Sequence, residues 1–204
     1  MLLFLTSIAA KTIHKILPYL PKQAHEMRIA FIPTASDIYT PHPWIEDDRN
    51  KLMELGFQVE DIDIKEFSTE NLQKKLSDVD IIFVAGGNTS YLLEQTQKNG
   101  FLEITRNLVH LGTIYIGSSA GSLLAAPNIE VDKIYDDGEF GKELASYEGL
   151  GLINFVPLPH ADNPKYLPYL ERAFKEYGDK YKLVRLNDNQ VIVVTEGETE
   201  MLDA

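Results

Sequence analysis

Gly117-Ser118-Ser119-Ala120-Gly121 follows the apolar run Thr113 to Ile116 and leads into Ser122-Leu123-Leu124-Ala125. A Gly-x-Ser-x-Gly spacing at a strand-to-helix junction lets the chain turn sharply and lifts the central side chain above a sheet. Ser119 is therefore the expected nucleophile, and the amino end of the helix behind it favours developing negative charge. A serine hydroxyl needs a base. His160 is the leading candidate because it follows Phe155-Val156-Pro157-Leu158-Pro159, a strand-like run ending where ligand chemistry gathers in open α/β sheets. His42, in the Pro-flanked stretch PTASDIYTPHP, is its competitor, whereas His14, His25 and His110 fall in helical, loop or helix-end settings.

An acidic group should orient the imidazole and stabilise its cation. Asp136 is the expected third member, with Asp132 and Asp137 as alternatives, all lying between Ser119 and His160. Asp162 reads as a helix cap or a helper of His160. Charge developing on the attacked carbonyl oxygen requires amide donors. Gly86-Gly87-Asn88-Thr89 follows the apolar run Ile81 to Val84, so the N–H of Gly87 is expected to pair with that of Ala120 as an oxyanion hole. Asn88, Lys133 and Arg172 are the expected substrate-binding residues, with Lys165 a further basic candidate near the histidine.

Other chemistries recede. The chain has no cysteine, which excludes a thiol nucleophile, a disulfide and a thiolate-bound metal. No histidine pair has the spacing of a zinc peptidase helix, and neither a phosphate loop nor a dinucleotide fingerprint occurs, so no metal and no cofactor is expected. With 19 Lys and Arg against 31 Asp and Glu, the formal charge of -12 disfavours nucleic acid as a partner.

These residues need a scaffold to converge. LLFLTS, MRIAFIP, FQVEDI, DIIFVAG, TIYIGSS, FVPLP, YKLVRL and QVIVVT are candidate strands, several of them continuously apolar as parallel strands covered on both faces are. Between them, Ala9 to Leu20, Ile45 to Leu55, Thr69 to Leu76, Thr89 to Gln97, Phe101 to Leu111 and Lys165 to Tyr177 read as helices. The rhythm predicts an α/β three-layer sandwich with a mostly parallel central sheet. A chain of 204 residues is expected to form one domain, 1–204. The opening MLLFLTSIAA lacks a basic flank and breaks at Thr6, so it reads as a buried first strand rather than a secretion signal, and no run is long enough to span a membrane. A cytoplasmic protein with no membrane partner is the expectation.

Gly86-Gly87-Asn88-Thr89, Gly117-Ser118-Ser119-Ala120-Gly121-Ser122 and Pro157-Leu158-Pro159-His160, in that order, resemble the serine peptidase family of dipeptidase E (aspartyl dipeptidase) and cyanophycinase, peptidase family S51. The resemblance implies a flavodoxin-like or class I glutamine amidotransferase-like fold. It implies an acyl-enzyme on Ser119, His160 as base and then acid, and oxyanion donors from Gly87 and Ala120. It places the acid in the Asp132 to Asp137 region and implies a small peptide substrate, Asp-X in the case of dipeptidase E. An esterase or acyltransferase sharing the acyl-serine step, and a non-catalytic ligand-binding member of the fold, are the competing readings.

Overall fold

The computed structural model describes residues 1–135, 140–196 and 198–204. Its core is a seven-stranded sheet in the order β3 (Gln58–Asp61), β2 (Arg28–Ile32), β4 (Ile81–Val84), β5 (Ile114–Ser118), β1 (Leu3–Thr6), β8 (Gln190–Val194) and β9 (Thr199–Asp203). The first five run parallel, while β8 is antiparallel to β1 and β9 antiparallel to β8. The arrangement is thus the expected three-layer α/β fold with a mostly parallel sheet.

The continuously apolar runs have a direct cause. Strands β1, β4 and β5 are buried at every residue because both faces are covered. Alternate side chains separate onto the two faces. Phe4, Ile29, Phe31, Ile81, Phe83 and Ile116 pack toward α1 (Ala9–Thr12) and α2 (Pro43–Glu54). Leu3, Leu5, Ile32, Ile82, Val84 and Tyr115 join the opposite layer of α3 (Thr69–Ser77), α4 (Thr89–Lys98), α5 (Phe101–His110), α6 (Ala120–Leu124) and α7 (Leu167–Tyr177). Among the described residues, no helix is long and apolar enough to cross a membrane.

Two elements depart from expectation. Ala9 to Leu20 is α-helical only to Thr12 and continues as a 3-10 helix, Ile13–Tyr19, that contains Pro18. Proline has no N–H to donate and its ring crowds the carbonyl a turn earlier, so an α-helix cannot pass through it without distortion. The runs FVPLP and YKLVRL do not enter the main sheet. They form a separate parallel pair, β6 (Val156–Leu158) and β7 (Leu183–Arg185), with Leu158 opposite Arg185. This small sheet carries half of the site.

Candidate active site

At the carboxyl end of β5, Ser119 has φ 48° and ψ -104°, a conformation that a side chain adopts at a cost of order 1–3 kcal/mol. Packing imposes it. A β-carbon on Gly117 would lie 2.5 Å from the Gly121 carbonyl carbon, and one on Gly121 would lie 2.0 Å from Val84 O. Only glycine at both places lets α6 start directly against β4 and β5. The Ser119 N–H donates to Thr6 O at 2.8 Å, and the buried Ser122 Oγ accepts from Thr6 N–H at 2.9 Å. The elbow is thereby pinned to the end of β1.

The Ser119 hydroxyl lies 3.0 Å from His160 Nε2, and His160 Nδ1 lies 2.6 Å from Asp188 Oδ1. A carboxylate only accepts, so Nδ1 carries the proton and Nε2 is left to accept from the serine. That is the tautomer a general base requires. His160 and Asp188 are both mostly buried, their side chains 20% and 15% exposed. Tyr166 stacks on the imidazole with ring centroids 5.0 Å apart, and Asp162 Oδ1 accepts the Asp188 N–H at 2.9 Å.

Opposite the elbow, Gly87 has φ 151°, and a β-carbon there would lie 2.1 Å from Ala35 O. Asn88 N–H donates to that same carbonyl at 2.8 Å, and Trp44 Nε1–H braces Gly86 O at 3.2 Å. Among the described residues, no acceptor meets the Gly87 N–H. Ala120 opens α6, so its N–H has no carbonyl one turn back within the helix. Both residues line one cleft of about 270 Å³ together with Ser119, His160, Asn88, Asp132 and Lys165. Tyr39, Tyr135, Tyr166 and Tyr169 form its aromatic wall, Tyr135 and Tyr169 stacking at 5.2 Å.

The third member of the constellation corrects the expectation. Asp188 comes after the histidine in sequence, because β7 runs parallel to β6 and both deliver their following loops to the same edge. Asp132 instead accepts from Ser90 Oγ at 2.8 Å and forms a buried part of the cleft wall. Asp136 and Asp137 lie outside the described residues, and the Nδ1 proton they were expected to bind is directed at Asp188. Asn88 lines the cleft, but its side chain caps α4 by accepting from Tyr91 N–H at 2.7 Å. Lys133 is away from the cleft, bonded to Glu130 at 3.0 Å and lying over the Tyr147 ring, because a nearer carboxylate claims it. Arg172 is on the exposed side of α7, paired with Glu176 one turn on at 3.3 Å. Lys165 is the cation that does line the cleft, its Nζ 5.2 Å over Tyr166. His42 bonds Tyr39 O at 2.9 Å and is outside the cleft lining. Asp188 had one sequence signal, the Asn187-Asp188-Asn189 turn directly after a strand that follows the histidine strand. Tyr166 and Tyr169 had none.

A second buried carboxylate sits behind the elbow. Asp48 on α2 is 3% exposed, and burial pushes its carboxyl up to about 6, opposed by hydrogen bonds from the Ala10 N–H at 2.8 Å and from Ser118.

Comparison with known proteins places the chain in a peptidase family. The profile of peptidase family S51 matches residues 3–202. An uncharacterized peptidase of Listeria monocytogenes is 30% identical over 192 residues, covering 94% of this chain and 93% of its own. Peptidase E of Nostoc sp. is 34% identical over 136 residues, 67% of this chain and 53% of that enzyme. A crystallised Listeria monocytogenes protein provisionally named peptidase E superposes with a TM-score of 0.92 at 28% identity, covering 100% of this chain and 98% of that one.

Proposed function

The chain belongs to peptidase family S51, and from that premise we propose that it is a serine hydrolase of small peptides acting through an acyl-enzyme. The observation that carries the reading is the unbroken line from Ser119 Oγ to His160 Nε2 at 3.0 Å and from Nδ1 to Asp188 at 2.6 Å. Ser119 Oγ attacks the scissile carbonyl carbon while Nε2 takes its proton. Asp188 stabilises the imidazolium without itself taking that proton. The carbonyl oxygen becomes an oxyanion, for which the N–H groups of Gly87 and Ala120 are the proposed donors. Nε2–H then protonates the leaving nitrogen, the C–N bond breaks, and an acyl ester remains on Ser119. Water then gives a proton to His160 Nε2 and attacks the ester carbonyl, and Nε2–H returns that proton to Ser119 Oγ as the ester C–O bond breaks and the acid product leaves.

A cleft of about 270 Å³ favours a short substrate over a long chain threaded across the surface. Its cation, Lys165, is placed to attract a carboxylate, which fits a dipeptide and in particular an Asp-X dipeptide. The test is a panel of dipeptides varied at the first residue, offered to the protein and to a Ser119→Ala variant. Cleavage concentrated on Asp-X and abolished in the variant is the expected result. Equal product from the variant removes Ser119 from the mechanism. Acylation without peptide turnover favours the esterase or acyltransferase reading.

A further inference from the structure

We propose that Ser7 is a positioning residue whose hydroxyl, together with the Thr6 carbonyl beside it, sets the separation between the nucleophile and the base–acid pair. The role rests on the serine-hydrolase reading above. Its basis is that the two halves of the site belong to different sheets. Ser119 rises from the seven-stranded sheet, whereas His160 and Asp188 follow β6 and β7, which share no strand pairing with it among the described residues. Something must hold the small sheet in register with the large one.

The end of β1 reaches both. Thr6 O accepts the Ser119 N–H at 2.8 Å, and Thr6 Oγ1–H donates to Gly117 O at 3.0 Å, so this strand end is fixed to the elbow. The next residue, Ser7, is fully buried. Its Oγ accepts the His160 N–H at 3.0 Å and donates to Leu186 O at 2.7 Å. Leu186 is two residues before Asp188, and its carbonyl also accepts the Ala161 N–H at 3.1 Å. A single hydroxyl therefore ties the backbone of the base and the approach to the acid onto the residue that follows the elbow's anchor.

Residue chemistry explains why serine stands here. The bracket needs one atom that donates and accepts at once within a fully packed space, which a hydroxyl does and a methyl does not. His160 has φ 59°, so its backbone sits in a region where a side-chain-bearing residue has little intrinsic preference to remain. Asp188 and the Tyr166 ring orient the imidazole, and the hydrogen bond from the His160 N–H to Ser7 Oγ fixes the backbone that carries it. Without it the imidazole relaxes away from Ser119, and a displacement of about 1 Å at a reacting centre costs on the order of 100-fold in rate.

The experiment compares kcat, KM and covalent labelling of Ser119 by a fluorophosphonate for the parent, Ser7→Ala, Ser7→Cys and Ser7→Thr. It also follows the downfield NMR resonance of the His160 Nδ1 proton bonded to Asp188. Ser7→Ala should lower kcat and the labelling rate together by about 10- to 100-fold, leave KM within about twofold, and weaken or erase the resonance. Ser7→Thr, which keeps the hydroxyl but adds a methyl to a filled space, should recover part of the rate lost in Ser7→Ala, and Ser7→Cys, a weaker donor, less. Thr96→Ala is the control for a merely structural loss. It removes a fully buried hydroxyl of α4, bonded to Leu93 O at 2.7 Å, and should cost stability while leaving kcat and the resonance intact. Should Ser7→Ala not fold, Ser7→Cys carries the same readouts against the same control. A parent labelled at Ser119 whose Ser7 variants keep its kcat and resonance overturns the role of Ser7 alone. A parent that is not labelled at Ser119 overturns the hydrolase reading and this role with it.

Discussion

The two halves of the site are held by different physics. On the elbow side, position is enforced by sterics: Gly117, Gly121 and Gly87 each stand where a β-carbon would meet backbone atoms at 2.5, 2.0 and 2.1 Å, respectively. On the base–acid side, no such exclusion operates. His160 and Asp188 sit on loops after a two-stranded sheet; their N–H groups donate to Ser7 Oγ and Asp162 Oδ1, their side chains bond each other, and Tyr166 stacks on the imidazole. Close packing against backbone leaves the elbow no alternative arrangement, whereas the loops are held by hydrogen bonds and one ring contact. Substitutions of the packed glycines should therefore be felt first as stability, and those of the base–acid pair first as rate.

The largest effect expected is on rate. Asp188→Asn keeps the shape of the side chain but offers Nδ1 a partner that no longer demands the productive tautomer. It should lower kcat by about 10³- to 10⁴-fold while the melting temperature stays near that of the parent. Steady-state kinetics and calorimetry on the same preparation measure both. Asp132→Asn, altering one of the two alternatives to Asp136 expected from sequence, should lower kcat far less, because its carboxylate bonds Ser90 rather than the imidazole. A comparable collapse in Asp132→Asn alone would return the role to that residue.

Gly121→Ala is the mirror image. Its β-carbon has no room beside Val84 O, so the junction of α6 with β4 must open, at a cost of about 4 kcal/mol or more. Denaturant midpoints check this. A variant as stable as the parent would mean that the elbow is not sterically locked and would erase the contrast between the halves.

How legible each half was in the sequence follows the same division. Steric constraint writes itself into local residue types, so the elbow, the Gly86-Gly87 turn and the apolar strands were readable from short motifs. Hydrogen-bonded positioning across sheets leaves no such mark. Nothing near Asp188 advertises that β7 lies parallel to β6, and chain order suggested the aspartates after Ser119 instead. Lys133 and Arg172 are near the catalytic segments in sequence, but each has a carboxylate within one helical turn that claims it. Pro18 is the mark in the sequence of the helix that breaks after Thr12.

Asp48 gives a smaller, pH-dependent effect on the elbow side. Its carboxyl titrates at about 6 in the folded protein, above its ordinary value of 3.8. The native state therefore binds the proton more tightly, and its stabilising contribution is present in full below about pH 4 and lost as pH rises through about 6. Asp48→Asn should accordingly be more stable than the parent at pH 8, by up to about 3 kcal/mol, with the difference vanishing toward pH 4. Urea midpoints across that range check the sign. A gap that widens toward acid would contradict it.

The smallest expected effects are those of Lys133→Ala and Arg172→Ala. Both side chains are solvated and paired away from the cleft, so kcat/KM should stay within about twofold and stability within about 0.5 kcal/mol. Lys165→Met, by contrast, should raise KM for a carboxylate-bearing dipeptide several-fold with kcat little changed.

A covalent intermediate on Ser119 has a direct readout. Rapid acid quench during turnover of a cleaved dipeptide, followed by mass spectrometry of the digested protein, reads it directly. A mass increase equal to the amino-terminal aminoacyl group is expected, confined to the peptide containing Ser119 and absent from Ser119→Ala. Full turnover with no adduct there, in a variant slowed at deacylation so that any ester would accumulate, would contradict it.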